Sequence, residues 1–201
     1  MQLGSPLHIT GENDMTDILE NIRKNPVIAA VRKEQDIDAA IASEAITIFI
    51  LNGDIFNIKS MVSKVRESGK NVFVHVDFLE GLGRDNKSID YIAAEVRPTG
   101  IISTKSSSIK HAKDTGFFCI QRFFLVDSLS YDTAVRTAHS VNPDVVEIMP
   151  GVMPGVIKRI CKDLPMPVIA GGLIETRNDI IEVLQSGCIA ASTGKKELWN
   201  I

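Results

Sequence analysis

The stretch DVVEIMPGVMPGVIKRICKDLPMPVIAGGLIETRNDIIEVLQSGCIAASTG, residues 144–194, sets the fold. It holds three short apolar runs: DVVEIM from Asp144, MPVIAGG from Met166 and CIAAST from Cys188. Two amphipathic segments, 154–163 and 176–186, separate them. Short runs that are apolar on both faces read as strands covered on both sides, the setting of a parallel sheet. The second segment opens on Thr176-Arg177-Asn178-Asp179, whose side chains suit the free amides of a helix start, and stops at Gly187. The stretch is therefore strand, helix, strand, helix, strand.

The alternation continues toward the N-terminus. Further runs begin at Pro26 (PVIAAV), Ile46 (ITIFIL), Asn71 (NVFVHV), Gly100 (GIIS) and Phe117 (FFCIQRFF), with amphipathic stretches at 56–68, 105–115 and 128–140. Asp127-Ser128 marks another helix start, and Gly69 and Gly116 mark helix ends. Eight such units favour a closed (β/α)8 TIM-type barrel, an α/β fold, over an open doubly wound sheet. The first strand–helix turn lacks the G-x-G-x-x-G of dinucleotide binding. The chain has 201 residues, against about 250 for a typical barrel of this kind. Only GKKELWNI, 194–201, follows the last run, so the last helix is expected to be truncated. That would leave one flank with an exposed apolar strip that a second copy of the chain could cover, making a homo-oligomer.

Residues 15–201 read as a single barrel domain. Residues 1–14, MQLGSPLHITGEND, show neither periodicity nor the basic-then-apolar order of a secretory signal. They are expected to be a disordered extension ahead of a start at Met15. Hydrophobic residues make up 44% and charged residues 23%, which excludes the disordered and fibrous classes. With Lys and Arg totalling 22 against 25 Asp and Glu, a globally basic nucleic-acid coat is excluded, although a local patch is not. No apolar run approaches the roughly 18–20 residues of a membrane span. Cys119, Cys161 and Cys188 lie far apart in sequence without metal-ligand spacing. They read as buried thiols of a cytoplasmic protein, with no metal site and no cofactor.

In such a barrel, function gathers at the C-terminal strand ends. On the third run Phe73, His75 and Asp77 share one face and three valines the other, so His75 and Asp77 should point inward near the mouth. A structural reading, in which they satisfy each other or nearby backbone, stands beside a ligand role. Glu147 interrupts an apolar strand and should also face inward, either in an ion pair with Arg122 or toward a ligand. The most informative pair is Gly171-Gly172 after the seventh strand and Ser192-Thr193-Gly194 after the eighth. Loops in these places commonly build a phosphate site, with glycine amides, hydroxyls and the start of a short helix near Lys195 as donors. Lys105, at a helix start, suits a phosphate or RNA contact better than a Schiff base. No residue is assigned a catalytic role. Asp77 and Glu147 could nonetheless serve as acid and base, which keeps open a phosphosugar enzyme: an aldolase, isomerase or phosphodiesterase.

Six segments together carry a resemblance: HVDFLEGLGRD (75–85), GIISTK (100–105), IQRFFLVDS (120–128), VEIMPGVMP (146–154), IAGGLI (169–174) and ELW (197–199). In this order and spacing they closely resemble the glycerol-3-phosphate-responsive antiterminators, also called glycerol uptake operon antiterminator regulatory proteins. The resemblance implies a bacterial cytoplasmic regulator that binds glycerol 3-phosphate and then acts on the mRNA leader of the glycerol uptake operon. It puts the phosphate on Gly171, Gly172, Ser192 and Thr193, with Gly194-Lys195-Lys196 departing from the family's pattern there, and the glycerol hydroxyls near Asp77 and Glu147, with Arg122 pairing with Glu147 or the phosphate. Support for RNA in the residues themselves is thinner. No RNA-binding motif is present, and aromatic residues, at 5%, leave little for base stacking. The candidate contacts are Lys158, Arg159 and Lys162, with a second basic group at Arg97, Lys105, Lys110 and Lys113. A plain phosphometabolite-binding protein without an RNA partner is the third reading.

Overall fold

The computed structural model describes residues 12–83 and 85–201. Eight parallel strands close into one barrel: β1 Val27–Val31, β2 Thr47–Ile50, β3 Asn71–His75, β4 Gly100–Ser103, β5 Phe118–Phe124, β6 Val145–Met149, β7 Val168–Gly171 and β8 Ala190–Thr193. Each pairs with its sequence neighbours, and β1 closes on β8 through Ile28 opposite Ser192. The helices are α1 Glu12–Lys24, α2 Ile37–Ala42, α3 Ile58–Glu67, α4 Asn86–Tyr91, α5 Ser106–Asp114, α6 Ser128–Val141, α7 Pro154–Asp163 and α8 Arg177–Gln185. The expected (β/α)8 barrel is therefore what the chain forms.

Strand alternation sorts the cores. Inside the barrel lie Ile28, Phe49, Phe73, Ile102, Phe118, Ile120, Val145 and Ile169, with the rings of Phe49, Phe73 and Phe118 meeting edge to face. The opposite strand faces pack on the helices in two further clusters. Ile18 and Ile22 of α1 join the interior cluster beside residues at the N-terminal strand ends, so α1 stoppers the barrel from below. This helix takes in the last three residues of the expected extension; residues 1–11 lie outside the described residues. The helix starts marked by Asp127 and Thr176 are both closed by reciprocal side-chain and backbone bonds, with Ser130 and Asp179 as partners.

A 3₁₀ segment, Lys196–Asn200, follows β8. The flank beside it is not the apolar strip expected from the sequence. Leu198 and Trp199 are buried there, and the Trp199 indole donates to the carbonyl of Thr193 at 2.9 Å. One group of exposed apolar residues lies at and after the ends of β5 and β6, Phe124, Val126, Leu129, Val152 and Val156, while Phe56, Phe78 and Leu173 are exposed on other loops.

Candidate anion site at the barrel mouth

Below the C-terminal mouth, β3, β5, β6 and β8 send inward a layer of polar side chains, each at most 5% exposed: His75, Arg122, Glu147 and Ser192. Glu147 is fully engaged. One carboxylate oxygen accepts from Arg122 Nε at 2.7 Å and the other from Ser192 Oγ at 2.6 Å. Gly171 sits on this pair so closely that a Cβ there would collide with Ser192 Oγ and lie 2.7 Å from Glu147. This glycine thus serves packing beneath the mouth. Glu147 is the partner of Arg122 and holds the guanidinium by one edge.

Above this layer lies a cavity of about 460 Å³, whose lining includes Arg32, Arg122, Gly172, Leu173, Gly194 and Lys195. The β7 and β8 loops, side by side through the register of Gly171 with Ser192, form one of its walls. Gly172 and Leu173 both have positive φ, 76° and 61°. Successive residues in this conformation turn the backbone amides away from strand pairing. Among the described residues the amides of Gly172, Leu173 and Gly194 meet no protein acceptor. The guanidinium of Arg122 has no protein partner among those residues beyond the bond from Nε, so its outer nitrogens face the cavity wall unpaired. Arg32 and Lys33 line the same space without an ion pair among the described residues, whereas Lys195 stands 3.5 Å from Glu175. Undonated amides and an excess of cations around one concavity are the elements of an oxyanion cradle.

The expected hydroxyl donors are committed elsewhere. Ser192 donates to Glu147, and Thr193 Oγ1 donates to the carbonyl of Ile174 at 2.8 Å while accepting the amide of Lys195. Buried hydroxyls rarely go unpaired, and here the protein satisfies them itself. The structure also does not bring Asp77 and Lys105 to the cavity that holds Gly172. Asp77 accepts from Ser103 Oγ, Thr104 Oγ1 and the Thr104 amide, each at 2.7 Å, and so braces the turn between β4 and α5. Burial alone would raise its carboxyl. The Thr104 amide, the two hydroxyls and the neighbouring His75 outweigh burial and hold it below the ordinary value. Lys105 lies beside it in a separate small cleft.

His75 points inward, as strand alternation leads one to expect. Its ring is wholly buried, stacked under Phe78 with centroids 4.4 Å apart, and neither nitrogen has a hydrogen-bond partner among the described residues. Desolvation, reinforced by the charge of Arg122, lowers its pKa to about 4, so it is neutral at pH 7. Leu173 went unremarked as a site residue in the sequence, whereas Arg32, just after β1, stands among the strand-end residues that alternation points to the mouth. The role of Leu173 rests on a positive φ that a non-glycine residue does not advertise.

On the outer surface, Lys158, Arg159 and Lys162 are exposed on α7. Arg159 lies over the Tyr131 ring at 4.4 Å and within 3.8 Å of Asp163, whereas Lys158 and Lys162 have no ion-pair partner among the described residues. In the second basic group, Lys113 is occupied by the Asn142 carbonyl and Asp144, and Arg97 by the Ala94 carbonyl. Cys119 and Cys188 are buried and Cys161 half-buried. The fold brings the sulfurs of Cys161 and Cys188 to 3.9 Å, although they are remote in sequence.

A model of the family described as the glycerol-3-phosphate responsive antiterminator matches residues 27–199. The chain belongs to that family. The match spans every barrel strand and both loops of the cradle. The uncharacterized protein YgcP of Escherichia coli K12 is 39% identical over 92% of this chain and 96% of that protein. The crystal structure of a glycerol uptake operon antiterminator regulatory protein from Listeria monocytogenes is 35% identical, with a TM-score of 0.83 over 86% of this chain and 94% of that one. An antiterminator-related protein from Thermotoga maritima is 32% identical, with a TM-score of 0.78 over 87% and 98%. Among the described residues no helix is long and apolar enough to cross a membrane.

Proposed function

We propose that this protein is a cytoplasmic, glycerol-3-phosphate-responsive transcription antiterminator that acts on the mRNA leader of a glycerol uptake operon. The observation that carries the reading is the meeting of the free amides of Gly172, Leu173 and Gly194 with the unpaired edge of Arg122 in one cavity. A phosphate dianion supplies the acceptors these donors lack, and the fixed amides need no rearrangement to receive it. Family membership supports both the ligand and the RNA.

Coupling to RNA has a short route in the fold. The Gly151 amide donates to the carbonyl of Gly172 at 2.9 Å, tying the turn before α7 to the phosphate loop. A dianion bound at Gly172 is thereby one hydrogen bond away from the start of the helix that carries Lys158, Arg159 and Lys162. Response requires that the ligand bind the RNA-competent arrangement more tightly than the other. An enzyme using Asp77 and Glu147 finds less support, because both carboxylates already accept from protein donors and share no cavity.

The test is a leader-RNA binding titration with and without glycerol 3-phosphate, at several salt concentrations. The expected result is at least tenfold tighter RNA binding with the ligand, weakening steeply with salt. Equal RNA affinity in both conditions would remove the switch. Turnover of glycerol 3-phosphate or a triose phosphate would favour the enzyme instead.

A further inference from the structure

The cradle accounts for a phosphate and leaves the rest of a ligand unread. Glu147 and Asp77, the carboxylates that the sequence offered for the hydroxyls, already accept from protein donors, and Asp36 and Glu175, which line the phosphate cavity, are each paired with a lysine. His75 is in the opposite position. Both ring nitrogens are buried and unpaired among the described residues, in the same interior layer as Arg122. A buried polar group without a partner is uncommon and destabilising, and it persists where something other than the protein completes it.

What covers His75 is removable. Phe78 stacks on the imidazole from the short 3₁₀ turn Val76–Phe78, yet its own ring is 51% exposed. Phe78 lines a second opening of about 400 Å³, and Arg32 lines both that opening and the phosphate cavity, so the two are neighbours at the mouth with Arg32 between them. Asp77 fixes the sense of the ring. Its carboxylate lies 4.0 Å from Nδ1, which favours the tautomer with the proton on that side and leaves Nε2 as a hydrogen-bond acceptor.

Building on the phosphate reading above, we propose that His75 is the residue that distinguishes a short polyol monophosphate from phosphate alone: Phe78 moves off the ring and a ligand hydroxyl donates to Nε2. The site then has two ends, amides and Arg122 for the anion and a neutral imidazole for the alcohol. A ligand with a phosphate and no hydroxyl fills only the first.

The test is calorimetric binding of glycerol 3-phosphate and of inorganic phosphate to the full chain, for the wild type, His75→Leu and His75→Gln. The wild type should bind glycerol 3-phosphate at least tenfold more tightly than phosphate. His75→Leu should keep its phosphate affinity within about twofold and lose most of the preference, while His75→Gln, which retains an acceptor, should recover part of it. An unchanged preference in His75→Leu overturns the proposal and leaves the phosphate cradle standing. Wild-type protein that binds neither compound overturns both. If His75→Leu fails to fold, nitrogen NMR of His75 in the wild type decides. Nε2 should shift on adding glycerol 3-phosphate and stay put with inorganic phosphate, and the same response to both counts against the proposal.

Discussion

At the scale of the residue, the two glycines of the AGG segment do different work that the sequence could not separate. Gly171 has no room for a side chain because Ser192 and Glu147 occupy it; Gly172 adopts a φ of 76° and presents its amide to the cavity. Gly172→Asp should abolish glycerol 3-phosphate binding, because a carboxylate enters an anion cradle. Gly172→Ala carries the same backbone strain, about 1–2 kcal/mol, without the charge. In either variant the new Cβ meets Met149 Cε at 2.6 Å, the tip of a flexible side chain that can give way. Calorimetry should show Gly172→Ala binding within about tenfold of wild type and Gly172→Asp not at all, while thermal melts show similar losses for both. Equal ligand affinity in Gly172→Asp and wild type would displace the anion site from this loop. The positions of Gly172 and Gly194 were legible because glycine beside a strand end signals close approach. The commitments of Ser192, Thr193 and Asp77 were not, since hydrogen-bond partners that are remote in sequence leave no local trace.

At the scale of the element, apolar runs translated directly into strands, because a strand covered on both faces has no polar alternation to confuse it. PVIAAV became Val27–Val31 and FFCIQRFF became Phe118–Phe124. Helix ends at Gly69, Gly116 and Gly187 were equally plain, each with positive φ. The helix α2, IDAAIA, has too few residues to show a period. The turn of π-helix at Ile92–Val96 ends on Arg97 in the left-handed region, a position that usually announces itself as glycine. The end of α2 is held by Lys70, whose ammonium donates to the carbonyls of Ala40, Ser43 and Ala45. Lys70→Met strips a charged donor from three acceptors and should cost about 1–3 kcal/mol in urea unfolding. Lys70 precedes β3, at the end of the barrel opposite the cradle, so phosphate affinity should not change. A variant as stable as wild type would mean that water replaces the ammonium without loss.

At the scale of the whole molecule, the barrel is closed below by α1 and beside β8 by Trp199, and a buried polar layer lies under the mouth. The sequence showed the barrel. It did not show that one tryptophan would close the flank, because the indole's partner, the Thr193 carbonyl, is a backbone group. The buried imidazole gives the molecule a pH signature. His75 has a folded-state pKa of about 4, against 6.5 in an open chain. Between these values the unfolded chain takes up a proton that the folded chain refuses. Stability is therefore full above pH 6.5 and declines as pH falls toward 4. The loss grows by about 1.4 kcal/mol for each pH unit crossed between the two values and should reach about 2–3 kcal/mol by the acid end of that window. The carboxylates held below their ordinary values, Asp77, Asp90, Glu95, Asp127 and Asp179, act at lower pH, below about 4.5. Urea midpoints from pH 7 to 4.5 should thus fall for the wild type and stay nearly level for His75→Leu, which should also be the more stable protein at pH 5. Parallel curves for the two proteins would mean that the imidazole is protonated inside the barrel, and that the acid sensitivity belongs to another group.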